Sequence, residues 1–158
     1  MKTVAGVFFE GFAPLDAYGP IQAFALSFEP DAEDPSSPNM DAPLYKVISV
    51  GQKTGLVAGG AAGSPATQID YTFETCPPVD IVLIPGGGGT RPLVKDRDFI
   101  AAMLSLCERT PMVATVCTGA AKSGYLGTES WPRPTRQPGH GWSRKGPTSN
   151  TQLHAALD

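Results

Sequence analysis

The stretch Val79-Asp80-Ile81-Val82-Leu83-Ile84, broken off by Pro85 and four consecutive glycines, most constrains what this chain can fold into. A short apolar run rich in β-branched residues and bounded by turn residues reads as a buried strand. Segments 3–8, 44–50 and 112–116 have the same character. Between them lie stretches with helical spacing. Leu15, Tyr18, Ile21, Ala25 and Phe28 mark one such stretch, and Phe99, Ile100, Met103, Leu104 and Leu106 mark another. Strands alternating with helices predict an α/β fold with a mainly parallel sheet covered on both faces. In such sheets, sites form beyond the carboxyl ends of the strands.

Three chemistry-bearing features fall on that rim. Asp16 follows the first strand, Gly86 and Gly87 follow Ile84, and Cys117 follows Val116. The run Val113-Ala114-Thr115-Val116-Cys117-Thr118-Gly119-Ala120 passes from strand to cysteine to small residues and predicts a helix over 118–126. This arrangement delivers a thiol to a sharp turn, with a helix N-terminus that favours thiolate over thiol. Small neighbours such as Gly119 and Ala120 are what a nucleophile elbow requires. A buried core cysteine is the bland alternative. Gly86 and Gly87 could present backbone N–H groups to a developing oxyanion, or could form a flexible turn. The glycine run lacks the Gly-Lys-Ser/Thr ending of a phosphate loop. Read alone, Asp16 is an ordinary N-cap. Beside a thiol, it can hold the sulfur or move a proton. Pro20 reads as the first turn of the helix, with Asp16 in the loop just before it.

No histidine precedes His140, so the body of the chain offers no imidazole for a Cys–His–Asp triad. The three cysteines have no C-x-x-C spacing, which argues against zinc and against a thioredoxin-type motif. Cys76 and Cys107 read as structural. Reduced thiols suit a cytoplasmic location. Segment 1–9 starts like a signal peptide but meets Glu10 too soon, and a first core strand fits it better. A net charge of −3 makes no case for nucleic acid or an anionic membrane. No apolar run approaches the roughly 20 residues that span a bilayer.

Segment 29–43, rich in proline and acidic residues, is expected to be a solvated loop. The glycine-rich segment 51–63 is expected to form an irregular hairpin or short crossover. Beyond Gly127 the apolar periodicity vanishes, and 128–158 is expected to be a disordered tail.

Together these residues resemble the DJ-1/PfpI superfamily, also called class I glutamine amidotransferase-like. The carriers are Pro14-Leu15-Asp16-Ala17-Tyr18-Gly19-Pro20, then Val79–Gly87, and then Val116-Cys117-Thr118-Gly119-Ala120. Their forms look most like the isonitrile hydratase branch and the sensor domains of AraC-type regulators. The resemblance covers about residues 1–127. It implies a flavodoxin-like three-layer sandwich, usually dimeric, with no cofactor or metal and a small-molecule substrate. It further implies Cys117 as elbow nucleophile, Asp16 as its carboxylate partner, Thr118 as hydroxyl and backbone donor, and Gly86 and Gly87 on the oxyanion side.

The family continues past the elbow helix with a further strand and helices, and this chain departs from that pattern near Gly127. Shifting the frame by one base from Ser130 onward, with suitable codons, restores an amphipathic stretch closed by a Gly-Pro-Asn-Val turn. A frame change is therefore expected, leaving the fold C-terminally incomplete. Four functional readings follow: a cysteine-dependent hydratase, a non-catalytic ligand-sensing module, a redox sensor at Cys117, and an inactive truncated product. A transcriptional regulator would also need a helix-turn-helix, and none is visible.

Overall fold

The computed structural model describes residues 1–60 and 64–119, together with the backbone of two short strands at 135–137 and 140–143. Five strands form a single sheet in the order β7-β4-β1-β8-β9, and every neighbouring pair is parallel. They are β1 (Lys2–Val7), β4 (Tyr45–Gly51), β7 (Tyr71–Thr72), β8 (Ile81–Ile84) and β9 (Met112–Thr115). All four residues of β8 are buried, as expected for a strand inside a parallel sheet. From β1 the chain moves outward to β4 and β7, then returns to the other side of β1 as β8 and β9. The sequence direction therefore reverses between β1 and β8. Open parallel sheets place ligand sites at such a switch point.

Helix α1 (Pro14–Ala25) connects β1 to the rest of the sheet. It packs close to β1 because Gly6 has no side chain. A Cβ at Gly6 would lie 2.9 Å from Ile21 Cδ1. The helix starts at Pro14, so the expectation that Pro20 opens it, with Asp16 in the preceding loop, is corrected. Pro14 occupies the first helical position, where a missing N–H costs nothing. Asp16 sits in the first turn and Pro20 lies inside the helix. Pro20 cannot donate to the carbonyl of Asp16, four residues back. Burial of Ala17 and Ile21 against the sheet overrides the local breaker.

Helices α2 (Thr90–Leu93) and α3 (Arg97–Glu108) connect β8 to β9. Asp96 caps α3, its Oδ1 accepting from the N–H groups of Asp98 and Phe99 at 3.1 and 3.0 Å. The buried face of α3 is Phe99, Met103 and Leu106, at helical spacing. Just past its end, Arg109 donates to the carbonyls of Cys76 and Phe73 at 3.0 and 2.7 Å. That contact ties α3 to the segment leading into β8.

Two hairpins flank the sheet. Segment 29–43, expected to be a loop, instead contributes to an antiparallel pair, β2 (Phe28–Pro30) and β3 (Pro38–Pro43). Its turn closes on carboxylates. Asp31 Oδ1 accepts from the N–H groups of Glu33 and Asp34, and Asp34 accepts from Ser36 and Ser37. These donors hold both carboxyls below the usual carboxylate range. Segment 51–63 supplies one strand of a hairpin, β5 (Gly55–Ala58), but its partner β6 (Ala66–Ile69) lies beyond the segment in which the hairpin was expected.

Within 128–158, β10 (Thr135–Gln137) and β11 (His140–Ser143) pair antiparallel. The predicted elbow helix beyond Gly119, and the rest of that tail, lie outside the described residues. No helix among the described residues is long and apolar enough to cross a membrane.

Candidate functional site

Three loops meet at the carboxyl edge of the sheet, and backbone hydrogen bonds stitch them together. Ala13 N–H donates to the carbonyl of Gly86 at 2.8 Å, and Gly89 N–H donates to that of Gly11 at 3.0 Å. These two bonds join the loop after β1 to the loop after β8. Val116 N–H donates to the carbonyl of Ile84 at 3.0 Å, which joins β8 to the turn after β9.

The glycine run is a packed seam and not a flexible tether. Gly87 has φ +123, a conformation that side-chain-bearing residues rarely adopt, and a Cβ there would run into Ala13 N and Gly11 O. At Gly86 a Cβ would lie 2.8 Å from each of Asp16 Oδ2, Thr118 N and Thr118 Oγ1. The absence of that one methyl leaves a space where a carboxylate, a backbone N–H and a hydroxyl converge. Of the run, Gly88 alone faces open space.

Cys117 follows directly on this seam. Its φ is +54, and among the described residues no other non-glycine residue has a positive φ. The left-handed conformation costs an L-residue about 1–2 kcal/mol. Gly119 permits the tight return, since a Cβ there would collide with Ile84 O and sit 3.0 Å from Pro85 O. Gly119 N–H closes the turn on the carbonyl of Val116 at 2.9 Å. The thiol is a free, exposed group at the sheet edge, so the reading of Cys117 as a buried core residue does not hold.

The other two cysteines behave differently. Cys76 is buried, and desolvation pushes its thiol up despite the charge of Arg109. Burial, helped by the charge of Glu108, pushes the Cys107 thiol up to about 12.

Asp16 does not cap its helix. The N-cap is Ala13, with no side-chain cap bond, and Asp16 Oδ2 is buried without a hydrogen-bond partner. The N-cap reading of Asp16 is thereby overturned. An unpaired buried carboxylate oxygen is costly, and such oxygens mark places where a ligand or water completes the bonding.

Thr118 is the hub of the site. Its Oγ1 accepts from Gly87 N–H at 3.1 Å, so that donor is committed to the threonine in this arrangement. Thr118 N–H has no acceptor among the described residues. Sequence reasoning missed Thr90, which is 4% exposed. Its hydroxyl donates to the carbonyl of Gly87 at 2.7 Å, and its oxygen lies 3.4 Å from Thr118 Oγ1. The available signal was a hydroxyl residue directly after the glycine run. Among the described residues, no group of three or more His, Cys, Asp or Glu side chains could hold a metal ion.

Known proteins resemble this chain in fold and, over a short stretch, in sequence. No family model matches the chain. Isonitrile hydratase of Pseudomonas putida is 38% identical over 56 residues, which is 35% of this chain and 25% of that protein. A ThiJ/PfpI family protein from Pseudomonas syringae superposes with a TM-score of 0.63 at 17% identity, covering 98% of this chain and 62% of that one. A ThiJ/PfpI domain protein from Brachyspira murdochii superposes with a TM-score of 0.56 at 17% identity, covering 78% of this chain and 63% of that one. For a DJ-1 superfamily protein from Agrobacterium tumefaciens the TM-score is 0.55 at 20% identity, with coverage of 80% and 59%. The chain thus spans about three fifths of the length of these solved structures. A five-stranded parallel sheet, a switch point beside its central strand and superposition over nearly the whole chain identify the architecture as a flavodoxin-like fold, the one seen in these ThiJ/PfpI and DJ-1 superfamily structures.

Proposed function

We propose that the chain is a member of the DJ-1/PfpI superfamily whose Cys117 is a nucleophile toward a small electrophilic molecule, in the manner of isonitrile hydratase. The observation that carries this reading is the exposed thiol held at φ +54, on the same rim as the unpartnered Asp16 Oδ2 and the Thr118 N–H. A strained backbone at a reactive side chain is a recurrent sign of function. The partial likeness to isonitrile hydratase points to the substrate class.

The chemistry needs no redox partner. The Cys117 thiolate attacks the terminal carbon of the isonitrile and forms a C–S bond. A proton carried by Asp16 goes to that carbon, giving a thioimidate. Water then adds to the same carbon, the C–S bond breaks, and the thiolate returns as an N-substituted formamide leaves. Substrate and water sum to product. Thr118 N–H and its hydroxyl proton stabilise negative charge as it develops. Asp16, half-buried with its Oδ2 buried and unpaired, serves as acid and base in turn.

Formamide production from a simple alkyl isonitrile tests the reading. The wild-type chain should form it and Cys117→Ala should not. Equal rates for the two would discard the proposal.

A further inference from the structure

We infer that Thr90 is a positioning residue that sets the Thr118 hydroxyl, next in the chain to Cys117. The inference rests on the reading of Cys117 as a nucleophile. Thr90 grips the Gly87 carbonyl twice, through its hydroxyl at 2.7 Å and its own N–H at 3.1 Å. That double grip fixes the Gly87 backbone at φ +123 and aims its N–H at Thr118 Oγ1. The Thr90 hydroxyl serves two acceptors, the Gly87 carbonyl at 2.7 Å and, as a longer second branch, Thr118 Oγ1 at 3.4 Å. One acceptor position of Thr118 is filled by Gly87 N–H. With Gly87 N–H and the Thr90 hydroxyl on its acceptor side, its own proton is left to point into the space above Gly86, where Asp16 Oδ2 is unpaired. Thr90 thus turns the Thr118 hydroxyl toward that space from a position that is itself buried.

The test separates donor placement from simple reactivity of the thiol. Alkylation by iodoacetamide requires only a thiolate. Acylation by p-nitrophenyl acetate forms an S–C bond to the acetyl carbon, expels p-nitrophenolate, and passes through an oxyanion that needs correctly placed donors. Both modifications are read at Cys117 by mass spectrometry on the full chain. Thr90→Val should slow acylation by about tenfold or more, with alkylation unchanged, because a misplaced group near the chemistry costs up to about a hundredfold. Thr90→Ser, which keeps the oxygen, should restore acylation. Equal slowing of both reactions, no slowing of acylation, or failure of serine to rescue would each overturn the assignment while leaving the nucleophile intact. A wild-type chain that alkylates but never acylates would overturn both this assignment and the proposed function.

Discussion

Replacing Cys117 by glycine and, separately, by alanine turns the strained elbow into a measurable energy. Alanine keeps a Cβ at φ +54 and retains the cost of about 1–2 kcal/mol for a left-handed L-residue. Glycine removes that cost but gives the unfolded chain extra freedom, which returns about 0.4–1 kcal/mol. Because the cysteine side chain is exposed, neither change leaves a large cavity. The net expectation is that Cys117→Gly is more stable than Cys117→Ala by about 0.5–1 kcal/mol. For a chain of this size, that is a rise in Tm of about 1–4 °C. Urea unfolding followed by circular dichroism, run on both variants side by side, measures it. A glycine variant less stable than the alanine variant would refute the strained elbow, and with it the argument that this turn gives up stability to present the thiol.

Gly86→Ala should place a methyl against Asp16 Oδ2 and both Thr118 atoms; overpacking of this kind costs about 1–3 kcal/mol, and Cys117 acylation should fall with it. Unchanged acylation in a folded variant would show that these atoms do not form one site. Iodoacetamide at mildly alkaline pH should label the exposed Cys117 ahead of the buried Cys76 and the half-buried Cys107, since desolvation pushes both of the latter thiols up. Labelling of Cys107 as fast as Cys117 would contradict that. The raised Cys107 value has a second consequence: below pH 9.0 its burial carries no ionisation penalty, and stability is lost as pH climbs from 9.0 toward 12, where the unfolded thiol ionises and the folded one does not. Comparing wild type with Cys107→Ala isolates this loss, and parallel stability curves for the two would refute it. Asp96→Ala should cost about 1 kcal/mol by uncapping α3, and a neutral result would mean the cap is replaced by water.

Much of the sheet was legible because parallel strands buried on both faces read as unbroken apolar runs. The convergence of Asp16, Gly86 and Cys117 followed from their places after successive strands, since a parallel sheet collects its carboxyl ends on one edge. The start of α1 was misplaced because two prolines, Pro14 and Pro20, both carry a helix-start signal. What decides between them is packing of the intervening turn, where Ala17 is 1% exposed, which no local pattern reveals. The β2–β3 hairpin hid in proline-rich acidic sequence because its strands are largely exposed and lack the apolar alternation that marks a strand. The glycine run looked flexible because its rigidity comes entirely from atoms of other loops. Thr90 was passed over for the same reason: its place after the glycine run was a weak signal, and its role is defined by the carbonyl of Gly87 and the hydroxyl of Thr118.

The most direct measurement mixes the full chain with a simple alkyl isonitrile, quenches with acid within the first turnover, and maps covalent mass by peptide mass spectrometry. The account predicts an adduct of the whole isonitrile on Cys117, absent from Cys117→Ala, decaying as formamide forms. Formamide appearing with no adduct on Cys117, and at the same rate in Cys117→Ala, would contradict it.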